Sequence, residues 1–290
     1  MSLLVLVAAC GSARAPVTAG EFTDRAREVA ERWQSSAERE PWISGFVPLR
    51  NLTVEPDWER TPRWVGRSMI NSAWKLESEL SAKAPAPAEL RWNDGSTLSV
   101  PVLTATAAYA GLSKPKSFVD EECPAGKGCR PLRVIAVARG EATMPSSRGD
   151  VRVPTWDFTV QGVPKPFRRV AVDPAAMGGP PRPLDDGIQE VRTYEVRTPT
   201  ELRLSYLHGT CDTTHGSRVH ETPRTVVVDV DVRQDDVEFC TDMGKIDRIG
   251  VTLREPLGRR VVLDSSSGVP LLEQSDIYLA EFQNYDPRRS

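Results

Sequence analysis

Residues 225–232 read TVVVDVDV. Val226, Val228, Val230 and Val232 fall on one side of a period of two, with Val227, Asp229 and Asp231 on the other. Successive side chains of a strand point to opposite faces, so the stretch reads as a β-strand with one apolar and one wet face. β-branched residues also fit a pleated surface better than a helix. The same pattern surrounds it. EVRTYEV (190–196), TELRLSYLHG (200–209), SRVHET (217–222), IDRIGVTLR (246–254) and RRVVLD (259–264) are strands, and SSSG (265–268) is a turn.

Upstream, AELRW (88–92) and STLSV (96–100) flank Asn93-Asp94-Gly95, where Asp-Gly supplies the positive φ of a hairpin turn. PLRVIAVARG (131–140), DVRVPTWDFTV (150–160) and FRRVAVD (167–173) are further strands. Ile70 to Leu80 alternates as a strand does, although Met69, Ile70, Ala73 and Leu76 also allow a helix. Two helices stand out. Thr18 and Glu21 have capping-box spacing, and Phe22, Ala26, Val29 and Trp33 follow on one face, which places an amphipathic helix over residues 20–38. Thr104 caps a shorter helix through Leu112.

The fold class is therefore mainly β with one N-terminal α-helix, in two small sandwich-like or barrel-like domains. Residues 173–187 are dense in Pro and Gly and carry no periodicity, so they form the linker. The expected division is residues 20–172, with the helix and the first β-rich domain, and residues 188–290, with the second.

Ser2 to Ala9 is an apolar run too short to span a bilayer, which takes roughly 20 residues. It ends at Val7-Ala8-Ala9-Cys10, which resembles a bacterial lipobox. That resemblance implies a signal peptide over residues 1–9, a diacylglyceryl group on Cys10 and a flexible stalk over residues 10–19. The location implied is the cell membrane, lipid-anchored and facing away from the cytoplasm. No Lys or Arg precedes the apolar run, a departure that suggests a true start further upstream.

The remaining cysteines, Cys123, Cys129, Cys211 and Cys240, are even in number, as suits an oxidising compartment. The most local of the three pairings is Cys123–Cys129 with Cys211–Cys240. The net charge of −3 and scattered arginine pairs give no footprint for nucleic acid.

Reactive side chains concentrate in YLHGTCDTTHGSRVHE (206–221), which holds all three histidines, His208, His215 and His220, beside Asp212 and Glu221. Three imidazoles are a zinc ligand set if they converge. The competing reading is that they are loop and edge residues beside a Cys211–Cys240 bridge. There is no G-x-S-x-G elbow, and Asp185-Asp186 and Asp235-Asp236 lie in linker and turn. Six of the seven tryptophans fall before residue 100, as core plugs or as an aromatic binding surface.

DVRVPTWDFTVQG (150–162) with VAVDP (170–174), RVHETPRTVVVDVDV (218–232) and VTLREPLGRRVVLDSSSGVP (251–270) resembles secreted actinobacterial lipoproteins of no known activity. The likeness spans roughly residues 42–272. It implies location and architecture and brings no catalytic residue or cofactor. The function expected is binding or interaction at the cell envelope, with the bilayer as one partner and an envelope protein or glycan as another. The rival is an envelope hydrolase, using zinc on the histidines or a pair of carboxylates.

Overall fold

The computed structural model describes residues 17–83, 85–115, 123, 127–184, 190–237, 239–241, 243–274, 286 and 288. In chain order the elements are α1 (Ala19–Ser35), α2 (Arg39–Ile43), β1 (Thr53–Val54), α3 (Arg63–Ile70), β2 (Trp74–Leu76), β3 (Ala88–Trp92), β4 (Thr97–Val100), α4 (Ala105–Leu112), β5 (Leu132–Ser146), β6 (Gly149–Val160), β7 (Phe167–Val170), β8 (Val191–Thr198), β9 (Glu201–Gly209), β10 (Asp212–Glu221), β11 (Thr225–Gln234), β12 (Gly244–Thr252), β13 (Val261–Asp264) and β14 (Leu272–Glu273). The chain is mainly β, as the alternation demands; the expected N-terminal helix and the helix after Thr104 are present as α1 and α4, α2 and α3 add two more among the described residues, and no described sheet closes into a barrel. No described helix is long and apolar enough to cross a membrane.

The chain divides into two units. One is Ala37–Pro180 with the described residues 286 and 288; the other joins the described residues up to Ser36 to those from Pro181 onward. The division falls inside the Pro/Gly-rich 173–187 stretch.

In the middle unit, seven strands form one sheet. The long β5–β6 hairpin is its spine, with Gly149 at φ +89° in the turn. β6 also pairs with β3 and β7, and β2 joins β5 in parallel. The expected 88–100 hairpin is present, with Gly95 at φ +85°. Two apolar clusters form, one around Phe158, Phe167 and Leu132 with α3 and α4, the other around Phe46, Leu90 and Trp92. Trp42, Trp92 and Trp156 are buried here, Trp33 is buried in the other unit and Trp58 is exposed, so the tryptophans are mostly core. Cys123 and Cys129 are bridged.

In the other unit, a three-stranded sheet (β10-β11-β13) and a four-stranded sheet (β12-β9-β8-β14) share a core. Val226, Val228, Val230 and Val262 meet Val191, Leu202, Leu204 and Tyr206 there. The outer face of the three-stranded sheet is covered by α1, which contacts β10 and β11. This corrects the expected domain division, in which the helix goes with residues up to 172. A helix stripe of Phe22, Ala26, Val29, Ala30 and Trp33 fits any apolar face, and sequence does not say which sheet offers one. It also corrects the wet face of β11. Val227 is 0% exposed and Asp229 only 8%, because the helix lies over that side.

Candidate functional site

Covering Asp229 and Asp231 with a helix removes two carboxylates from water, which is costly unless each gains partners. Arg218 supplies them. It sits on β10 opposite Asp229 in the antiparallel register. Its Nε is 3.5 Å from Asp229 Oδ2 and its Nη2 is 2.8 Å from Asp231 Oδ1. The same guanidinium donates through Nη1 to the carbonyl of Val17 at 2.8 Å and lies 5.9 Å from the Phe22 ring. Arg233 approaches Asp231 Oδ2 at 2.8 Å from the other side. Hydrogen bonding to Arg233, with the charges of Arg218, Arg233 and His215, holds the Asp231 carboxyl below its usual range against partial burial.

The turn after β13 completes the network. Ser265 Oγ donates to Asp229 Oδ1 at 2.9 Å, while the carbonyls of Ser265 and Ser266 accept from Arg25 Nε and Nη2 of α1 at 3.3 and 3.1 Å. Beneath lies Asp264, 1% exposed. It accepts from Val191 N at 3.1 Å, Ser267 N at 2.8 Å and Ser267 Oγ at 2.6 Å. Burial pushes its carboxyl up to about 6 despite those bonds, and the negative charge of Asp229 adds to the rise. Gly268 closes the turn at φ +68°, with Leu184 packed where a Cβ would stand.

A cavity of about 420 Å³ opens at this network. Phe22, Arg25, Glu190, Tyr206, Asp212, Arg218, Asp229, Asp231 and Ser266 line it. Two guanidinium groups face four carboxylates, with two aromatic rings in the wall. Such a lining favours a cation that carries some apolar surface.

No family model, curated protein or solved structure matches this chain. The likeness to secreted lipoproteins therefore rests on the quoted motifs alone, and the site is read on its own chemistry.

The residues singled out from sequence distribute as follows. Cys211 and Cys240 are bridged, with Cα atoms 5.9 Å apart. Cys10, Asp185 and Asp186 lie outside the described residues. The histidines are split between the two sheets. His208, on β9, is buried against Tyr206 with ring centroids 5.4 Å apart and Nε2 3.8 Å from Asp247 Oδ2. His215 falls at the bulge of β10, and His220 pairs with Val227 in register. Among the described residues no group of three His, Cys, Asp or Glu is placed to hold a metal ion. Glu221 is committed elsewhere: it accepts from Arg260 Nη1 at 2.7 Å and from Arg254 N at 2.8 Å. Asp212 lines the cavity and accepts from Gly209 N.

Sequence reasoning missed Arg25, Arg218 and Ser265. A signal for Arg218 was present. Thr222-Pro223-Arg224-Thr225 closes a two-residue hairpin, and counting back from Thr222 and forward from Thr225 puts Arg218 opposite Asp229. Nothing local marks Arg25 and Ser265, which are 240 residues apart.

Proposed function

We propose that this protein is an extracytoplasmic lipoprotein, anchored by a diacylglyceryl Cys10, that binds a small amine-bearing ligand at the cell envelope. The observation that supports binding is the cavity under α1, with its excess of carboxylates over guanidiniums and its Phe22 and Tyr206 rings. The anchor supports the setting. Val17 stands at the cavity wall, and seven residues of chain from Cys10 reach at most about 25 Å. The ligand then belongs to the membrane surface or the wall beside it.

The test is thermal unfolding of the protein in ethanolamine and in putrescine, compared with an Asp212→Asn variant, which keeps an oxygen for Gly209 N. A ligand at ten times its Kd stabilises by about 1.4 kcal/mol, so the midpoint rises in the parent and stays put in the variant. Equal midpoints with and without amines in the parent reject the binding reading. Anchoring is read separately, from the mass of the N-terminal peptide of membrane-extracted protein. A diacylglyceryl Cys10 as first residue supports it, and an unmodified Cys10 rejects it.

A further inference from the structure

β12 is the border strand of its sheet, with β9 as its single ladder partner among the described residues. Three hydrogen bonds fix which of its backbone groups face outward. Met243 O accepts from Thr210 N at 3.1 Å and Leu253 N donates to Thr200 O at 2.8 Å, so odd-numbered residues turn toward β9. Gly250 O instead accepts from Ser217 Oγ at 2.7 Å, away from β9. Since backbone direction alternates along an antiparallel strand, Gly244, Ile246 and Arg248 aim their N–H and C=O outward. That stretch is open: Ile246 is 62% exposed, the Asp247 side chain 67%, and Met243 62%. An open edge of this kind is a template for another strand.

The sequence of this edge is complementary to itself. Antiparallel pairing with a copy joins outward-facing residues, so even-numbered positions must meet even-numbered positions. Two-fold axes at residues 245, 247 and 248 set Lys245, Asp247 and Arg248 each against its own charge. Axes at Gly244 and Ile246 both carry part of the strand past the start of β12 in the copy, and only the second sets opposite charges across the ladder. The axis at Ile246 sets no charge of the strand against its like. It places Lys245 of one copy opposite Asp247 of the other, twice. Met243 meets Ile249 on the same face, and Ile246 meets itself on the other. Opposite charges and apolar pairs directly across a ladder are the stabilising ones.

We propose that β12 pairs with the β12 of a second copy of this chain, antiparallel about a two-fold axis at Ile246, fusing two four-stranded sheets into one of eight strands. The interface is isologous and closed, so it makes a dimer and not a filament.

The test uses the full chain in membranes and in detergent. Ile246→Cys places two thiols at a directly paired position and gives a disulfide-linked dimer on mild oxidation. Arg248→Cys, whose thiols lie four residues apart along the ladder, does not. In sedimentation, Lys245→Glu weakens the dimer at least about tenfold, and Lys245→Glu with Asp247→Lys restores it. All four positions are exposed or lie at the strand edge, and an unchanged unfolding midpoint of each monomer certifies its fold. A monomeric parent, equal cross-linking at 246 and 248, or failure of the double exchange to restore the dimer overturns the proposal.

Discussion

Asp264 is the residue whose environment is most at odds with its chemistry. It is a carboxyl sealed under its own turn, with three donors aimed at it and a second carboxylate, Asp229, beyond Ser265. Folding raises its pKa to about 6, whereas the unfolded chain ionises it near its ordinary value of about 4. The folded state therefore binds the proton more tightly, and stability falls as pH climbs from about 4 to about 6, then levels. The span is worth up to about 3 kcal/mol, at about 1.4 per unit. Asp231 and Glu221 have lowered values, so their slope has the opposite sign and lies below about pH 4.5. Urea midpoints measured between pH 4 and pH 7 fall in the parent protein and flatten in Asp264→Asn. Asp229 and Asp231 are met instead by a guanidinium, that of Arg218, which touches both carboxyl groups.

At the scale of elements, α1 is defined by its ends and its stripe. Thr18 N donates to Glu21 Oε2 at 2.7 Å and Glu21 N to Thr18 Oγ1 at 3.2 Å, so the capping box legible in the sequence is present. Thr18→Ala leaves Glu21 N without that acceptor and costs about 1 kcal/mol. Because the cap stands beside Val17 and the cavity, the variant also speeds hydrogen exchange over the first turn of α1, while β11 stays protected. Strands with alternating residues were legible too, β8, β9 and β11 among them, because an apolar core face imposes the period. Residues 70–80 were not. Their alternation is accidental: α3 ends at Ile70, Ser72 turns the chain at φ +52°, and only Trp74–Leu76 is strand. The alternation of β11 was read correctly and its solvent was not, since Asp in a strand marks a polar face without telling whether water or an arginine meets it. The histidines show the same limit, because their spacing along the chain carried nothing about which sheet each would join.

At the scale of the molecule, the two local disulfides expected from cysteine counting are the ones formed. Cys211–Cys240 closes 29 residues and ties the start of β10 to the loop before β12. In the chain-entropy picture that loop contributes about 3.6 kcal/mol. Replacing both cysteines by serine lowers the urea midpoint accordingly, with the m-value following any change in the unfolded chain. The position of the division near 173–187 was legible from Pro and Gly, whereas the partner of the first helix was not, because a contact across most of the chain leaves no local trace.

That long-range partnership has a consequence for synthesis. Roughly 190 residues separate the end of α1 from the start of β11, so at 5–20 residues per second the helix emerges about 10–40 s before the strand it must cover. Over that interval Phe22, Val29 and Trp33 have no native cover, while Ala37–Pro180 is made and becomes free to fold before β11 appears. The nascent chain thus carries an exposed apolar stripe ahead of the strand that covers it, and reaching the native pairing depends on a holdase or on delayed collapse until β11 arrives.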